Sequence, residues 1–290
     1  MTSAHEPRNR FRGTHPVRRT VIDSTRWEYW VGGKGSHGLL VLGGALAFGD
    51  TSHRLVTLFE NTRKVLSPSY PHVSSATELV DGLARLLDHE GLGTVDLFGS
   101  GLGAGLAHLF IRRHPDRVAR LALSGFGLTT PFRAAASRAL IEMFERLPYG
   151  SVRQHFAGIF QRHAEAASDR YRAQELLALA TDLLDRHSHD SALHHLKLQA
   201  DLFRPTDERL LGRPVNTRAL LLFANDDPCF TRQEQENLER TYPGATVVRH
   251  LNAGRLLGFQ PAQELERKLE VFFRSPVQQP RAPQPLRAMM

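Results

Sequence analysis

From about residue 26 onward, the sequence alternates between short apolar runs and longer segments with the spacing of amphipathic helices. The runs at 39–42 and 95–98 have the length of buried strands, and each leads into a glycine-rich turn. Residues 76–89 instead repeat apolar side chains every three or four positions, which defines one helical face. This alternation predicts an α/β fold, with a mostly parallel central sheet and helices on both faces.

The alternation is interrupted once. Residues 131–204 carry four helical patterns and no convincing strand, and the strand–helix rhythm resumes at 219–223. We therefore expect an α/β domain that contains a helical insertion. The predicted divisions are a basic disordered tail (1–25), the first part of the core (26–130), a helical cap (131–204), the second part of the core (205–274), and a disordered Pro- and Gln-rich tail (275–290).

The charge distribution argues against a nucleic-acid-binding surface. Of the net charge of +7, residues 1–20 carry +4 and residues 274–290 carry +3, so the remainder is neutral. The chain has one cysteine, Cys229, and no run of 18 apolar residues. We expect a cytoplasmic protein without a membrane span, a metal or another cofactor.

Three separated stretches resemble the α/β-hydrolase fold superfamily. They are VDLFGSGLGAGLAHLFIRRHPDRVARLALSG at 95–125, FANDDPCF at 223–230, and YPGATVVRHLNAGRLLGF at 242–259. In order, they are similar to the family's nucleophile elbow with its flanking strands and helix, its acid loop and its histidine loop. The resemblance covers about residues 26–273. It implies the α/β-hydrolase fold, with the insertion as a cap over the substrate pocket.

The elbow departs from the family pattern G-x-S-x-G. When Gly99 and Gly103 are aligned with its outer glycines, Gly101 occupies the nucleophile position and Ser100 precedes it. Glycine has no side chain that could attack a carbonyl carbon. Ser100 could replace the missing nucleophile only if the turn shifted by one residue and a new base lay beside it. His53, His72 and His108 are the candidate bases in the sequence.

The base also differs from the family pattern. Arg255 stands at the histidine position, and a guanidinium stays protonated and cannot accept a proton. The resemblance leaves Asp227 as the surviving acid, with Asp226 as its competitor. We hypothesise an Asp227–Arg255 ion pair; the alternative is that Asp227 caps a loop and Arg255 faces solvent. Because triad members act as a unit, ordinary Ser-His-Asp hydrolysis is not expected.

Two further motifs allow other interpretations. Gly99-x-Gly101-x-x-Ala104 resembles a dinucleotide fingerprint, but the expected acidic residue about 20 positions later is missing. The segment HSHDSALHH at 187–195 resembles half of a zinc site, and we interpret its histidines as solvated residues in the cap.

The remaining features favour binding. The resemblance places the backbone N–H groups of Ala45 and Leu102 at the oxyanion hole, with Gly44 and Ser100 beside them. Apolar side chains of the predicted cap could line a pocket. We predict a catalytically degenerate α/β-hydrolase-like protein that binds an apolar or acyl-containing small molecule, or a protein partner, in a regulatory or accessory role. The alternatives are lyase, cyclase or isomerase chemistry that uses Asp227, and residual esterase or acyltransferase activity.

Overall fold

A computed structural model describes residues 6–128, 131–166, 170–203, 213–227, 229–250 and 262–274 of the chain. Its centre is one sheet of eight strands. The strands are Arg18–Ile22 (β1), Thr25–Gly32 (β2), Gly38–Leu42 (β3), Lys64–Pro68 (β4), Val95–Ser100 (β5), Val118–Ser124 (β6), Arg218–Ala224 (β7) and Thr246–His250 (β8). Their spatial order is β1-β2-β4-β3-β5-β6-β7-β8. The β1–β2 and β2–β4 pairs are antiparallel and all other pairs are parallel, which confirms the predicted fold class.

Ten helices surround or interrupt this sheet in the described ranges. They are Glu6–Thr14 (α1), His53–Phe59 (α2), Ala76–His89 (α3), Leu102–Arg113 (α4), Pro131–Glu145 (α5), Tyr149–Ala166 (α6), Arg170–Arg186 (α7), His189–Asp201 (α8), Arg232–Arg240 (α9) and Ala262–Arg274 (α10). The predicted apolar face of α3 is buried along its whole length. None of the helices that the structure describes is long and apolar enough to cross a membrane.

The parallel strands bring three chain segments together at one edge of the sheet. Every residue of β3 is buried, and so are the first five residues of β5, because helices cover both faces. In register, Leu42 pairs with Gly99, and Ser100 pairs with Ser124. The loops that leave the carboxyl ends of β3, β5 and β6 are therefore neighbours, which is the position of ligand sites in open parallel sheets.

Helices α5 to α8 form the helical insertion between β6 and β7. It has its own small core, in which Phe144 and Val152 are fully buried against Leu193 of α8. Arg133 of α5 also binds Glu234 of α9 through two hydrogen bonds of 2.7 and 2.8 Å. The insertion is thus packed internally and tied to the sheet domain, whereas its role as a cap remains a prediction.

The N-terminal segment differs from the expectation of a disordered tail. Within residues 6–22, α1 packs Phe11 into the core, and β1 pairs with β2. Arg12 donates a hydrogen bond of 2.6 Å to Asp50, which is fully buried, and another of 3.1 Å to Asp182 of α7. The arginine-rich composition is explained by these partners far along the chain. The C-terminal tail lies outside the described residues.

A buried ion cluster joins the opposite edge of the sheet to α10. Asp96 of β5 is fully buried between Arg63 and Arg120, and Arg120 donates two hydrogen bonds to it, at 2.8 and 2.7 Å. Arg63 also donates to the main-chain oxygen of Phe273. Removal of the carboxylate would leave two buried guanidinium groups without their shared counter-charge.

We expect Asp96→Asn to lower the free energy of unfolding by about 3–5 kcal/mol, measured by urea denaturation. The matched control is Glu28→Gln, because the Arg19–Glu28 pair is 70% and 35% exposed. That exposed pair should contribute less than about 1 kcal/mol. Equal losses from the two variants would contradict this view of the buried cluster.

Candidate active site

The turn between β5 and α4 has an unusual backbone conformation at Gly101. Its dihedral angles are φ 55° and ψ −119°, and its N–H donates a 2.9 Å hydrogen bond to the main-chain oxygen of Ser124. L-amino acids rarely adopt such a conformation, and a side chain there stores strain. A Cβ atom at this position would lie 3.6 Å from the Cα of Gly44, which is ordinary contact. Space alone therefore does not exclude a side chain here.

Close packing fixes the position of this turn. A Cβ atom at Gly103 would lie 2.2 Å from the main-chain oxygen of Leu42. Only glycine at this position therefore allows α4 to approach β3 so closely. This contact holds the first turn of α4 against the sheet, with Gly101 at the apex of the bend. The first helical residue, Leu102, is buried, with 3% of its surface exposed.

Loop 43–47 follows β3 and faces the same turn. The hydroxyl of Tyr70 donates a 2.6 Å hydrogen bond to the main-chain oxygen of Gly43. Leu46 has a positive φ of 63° and is held from the insertion side: its N–H donates to Nδ1 of His195 at 3.0 Å. Its carbonyl oxygen accepts a hydrogen bond of 2.9 Å from Nε2 of His187.

A cavity of about 400 Å³ lies between these loops and the insertion. Gly44, Ala45, Ser100 and Gly101 line it at the sheet edge, whereas the described lining does not include Leu102. That these residues bind a ligand stays a prediction. The opposite walls are mainly apolar and come from four helices of the insertion. They include Leu140, Phe156, Ile159, Phe160, Leu179 and Leu196.

Charged and polar groups occupy the remaining wall. Arg8 and Arg54 line the cavity together with Glu175, and Arg54 donates to that carboxylate at 3.3 Å. His53 also lines it; burial, and then the charges of Arg54 and Arg8, lower the pKa of His53 to about 4. The imidazole is therefore neutral near pH 7. The cavity thus combines a long apolar wall with a polar end.

The acid loop has a structural role. Oδ1 of Asp227 accepts hydrogen bonds from the backbone N–H groups of Cys229, at 2.7 Å, and Phe230, at 3.2 Å. These bonds cap the turn that leads into α9, as in the loop-capping alternative. Asp226 is exposed, and the described lining of the cavity includes neither aspartate. Arg255 lies outside the described residues, so the Asp227–Arg255 ion pair stays a hypothesis.

The two other candidate bases have partners away from Ser100. His108 is completely buried and contacts the Tyr242 hydroxyl at 2.5 Å. His72 stacks on His194, with 4.5 Å between ring centroids. Of the three candidates, His53 alone lines the cavity that Ser100 also lines.

The histidines of the 187–195 segment were expected to be solvated, and that prediction is wrong. His187, His194 and His195 are only 5%, 9% and 4% exposed. They fill the junction between the insertion and the loops beneath it, because their ring nitrogens bond main-chain atoms of Leu46 and Pro71. Over the part of the chain that the structure describes, no three residues are placed to hold a metal ion.

Comparison with known proteins supports the fold described above. The family model for the alpha/beta hydrolase fold matches residues 48–262, and the chain belongs to that family. A comparison with curated protein sequences gives no match.

Similar solved structures include a hydrolase from Pseudomonas aeruginosa at 14% identity, with a TM-score of 0.76, covering 90% of this chain and 99% of that one. An alpha/beta hydrolase enzyme from a deep-sea metagenome library has 15% identity and a TM-score of 0.73, covering 91% and 100%. A meta-cleavage product hydrolase from Pseudomonas fluorescens has 15% identity and a TM-score of 0.69, covering 88% and 97%. At these identities the likeness establishes the fold alone.

We expect Gly101→Ser to lower the free energy of unfolding by about 1 kcal/mol, because serine must adopt the positive φ of this turn. The variant should not hydrolyse p-nitrophenyl esters. Gly93→Ser is the matched control, since a Cβ atom there meets nothing within 4 Å and its φ is not positive. Unchanged or higher stability of Gly101→Ser together with ester turnover would contradict both expectations.

Proposed function

We propose that this chain is a member of the α/β-hydrolase family that binds an apolar or acyl-containing small molecule and does not form an acyl-enzyme. The observation that carries the proposal is Gly101 at the apex of the β5–α4 turn, where attack on a carbonyl carbon would need a side-chain nucleophile. A cavity lies beside this turn, and the proposed role uses it for binding without a covalent step.

The chemistry of the cavity supports this ligand class. An acyl chain would lie along the wall formed by Phe156, Ile159 and Phe160, where burial of each methylene contributes about 0.8 kcal/mol. A carbonyl or carboxylate oxygen would meet the backbone at Ala45 and at Gly101, the N-cap of α4, where helix geometry favours negative charge. In the Pseudomonas fluorescens relative, a serine-to-alanine variant was determined in complex with acetates, which are carboxylates of this kind.

The contacts of Asp227 favour binding over chemistry at that residue. One of its carboxylate oxygens already accepts two backbone hydrogen bonds. A carboxylate held in this way stabilises a turn, and Asp227 is not part of the described lining of the cavity. We therefore place lyase, cyclase or isomerase chemistry at Asp227 below ligand binding. A protein partner that recognises the ligand-bound form of this chain is compatible with the same proposal.

The absence of covalent chemistry can be tested with a fluorophosphonate probe. We expect no labelling of the native protein, because only an activated serine reacts with this probe. Ser100→Ala is the control for the displaced-nucleophile alternative. Labelling of the native chain that disappears in Ser100→Ala would overturn the proposal and identify Ser100 as the nucleophile.

Ligand binding can be tested by thermal shift with decanoate and hydroxyacyl compounds. At ten times the dissociation constant, a ligand stabilises the fold by about 1.4 kcal/mol, which raises the melting temperature by a few degrees. Ile159→Trp should abolish the shift by filling the apolar wall. Ala157→Trp should keep it, because Ala157 is exposed on the same helix and is not part of the lining.

Asp227→Asn separates binding from catalysis when the thermal-shift measurement is combined with an assay for product formed from the same compounds. Retained binding, with no product formed by either the native protein or the variant, supports the proposal. Product formed by the native protein and lost in Asp227→Asn would instead support an enzyme that uses this carboxylate. A missing shift in the native protein with every compound would contradict the ligand class.

A further inference from the structure

Two imidazoles hold both backbone polar groups of one loop residue, Leu46. Its N–H donates to Nδ1 of His195 at 3.0 Å, and its carbonyl oxygen accepts from Nε2 of His187 at 2.9 Å. Leu46 is 2% exposed and has a φ of 63°, a conformation that costs a non-glycine residue about 1 kcal/mol or more. The conformation of loop 43–47 therefore depends on contacts from outside the loop.

The partner atoms determine where the protons lie on the two rings. A backbone N–H only donates, so Nδ1 of His195 carries a lone pair, and the proton of the neutral ring lies on Nε2. A carbonyl oxygen only accepts, so His187 also carries its proton on Nε2. The two rings thus differ in their tolerance of a second proton. His187 would place that proton at Nδ1, facing the Ser191 hydroxyl oxygen, which can accept it.

A second proton on His195 has no such acceptor. It would lie at Nδ1, where it meets the N–H of Leu46, and two donors would then face each other across 3.0 Å. The hydrogen bond would be lost and a buried backbone N–H left unsatisfied. Protonation of His195 is therefore incompatible with the observed conformation of loop 43–47, which we call closed, whereas protonation of His187 is not.

Other imidazole rings and the phenol ring of Tyr70 surround His195. The ring centroids of His187 and His194 lie 5.0 and 6.1 Å from that of His195, and the Tyr70 ring lies at 5.7 Å. Arg186, at the end of α7, binds the carboxylate of Asp50 and stacks on Phe48. Burial lowers the pKa of His195 well below its usual value, and the charges of His187, His194 and His72 lower it further.

We propose that His195 is a positioning residue for loop 43–47, and that this loop opens the cavity when the ring takes up a proton. The consequence for ligand binding rests on the proposed function, but loop opening does not. In the open loop the ring is released from that burial, so its pKa rises toward the usual range of a histidine. As the pH falls through that range, the open state binds a proton that the closed state excludes. The opening equilibrium then shifts by about tenfold per pH unit.

Hydrogen exchange of the Leu46 amide tests the positioning role without any ligand. The measured quantity is the protection factor between pH 8 and pH 5, with the intrinsic rate corrected for pH. We expect a constant value at the alkaline end of this range and a loss that approaches tenfold per pH unit toward pH 5. The Leu97 amide, in the centre of β5, is exposed only by global unfolding, so its protection factor should exceed that of Leu46 at every pH. A flat profile at Leu46, or equal protection factors at the two amides, would overturn the proposal.

Two matched variants identify the titrating ring. In His195→Asn, an amide oxygen replaces Nδ1 as acceptor and does not titrate, so Leu46 should stay protected at every pH. In His194→Asn, the slope should remain, because His194 bonds the main-chain oxygen of Pro71 instead of Leu46. Loss of the slope in His194→Asn would contradict the assignment. If His195→Asn fails to fold, the native profile and the His194→Asn variant still decide the test.

The neutral fluorescent probe N-phenyl-1-naphthylamine tests the consequence for the cavity. Its affinity should fall between pH 7.5 and pH 5.5 by the factor by which the closed population falls, and it should not change in His195→Asn. Absence of binding to the native protein at pH 7.5 would count against the proposed function and leave the Leu46 result intact. Equal affinity at pH 7.5 and at a pH where the Leu46 protection factor has fallen close to one would overturn the link between loop and cavity.

Discussion

The backbone bend at Gly101 is the constraint on which the site depends. It joins a buried strand to a helix whose first turn approaches β3 so closely that Gly103 admits no side chain. The bend places Gly101 opposite Gly44, with the cavity between this edge of the sheet and the insertion. In an esterase of this family such a bend presents a serine. Here the residue in this strained conformation is Gly101, which adopts it at low cost because glycine has no Cβ atom.

The cavity is assembled from contacts between distant parts of the chain. Its lower side belongs to the sheet loops, and its upper side belongs to the helical insertion. His195 joins the two through Leu46, and Arg12 joins α1 to Asp50 and Asp182. Since the same contacts that shape the cavity also fix the insertion, binding and the conformation of the loops are expected to be coupled.

Much of the sheet and most of the helix bounds could be predicted from the sequence, because the signals are local. The segment from Val95 to Arg113 combines an apolar run, a glycine-rich turn and a helical pattern that stops before Pro115. For the same reason, the four helical patterns within 131–204 correspond to the four helices α5 to α8. The sequence was also sufficient to identify Gly101 at the elbow position, because the missing side chain is visible without a structure.

The contacts that determine burial could not be predicted in this way. The N-terminal arginines have the composition of a solvated tail, yet Arg12 binds a carboxylate 170 positions away. The histidine-rich segment has no period that distinguishes buried rings from exposed ones, and its partners are backbone atoms, which carry no sequence signal. Only the fold brings Leu46 and His195 together.

Mass spectrometry of the purified native chain tests the central claim most directly. Spectra recorded under native and denaturing conditions distinguish a molecule held by contacts from one held by a bond. The account predicts an acyl-containing molecule that accompanies the folded protein and leaves on denaturation, with the chain returning to its unmodified mass. An acyl group that remains attached to the denatured chain would show that a nucleophile operates at this site and would contradict the account.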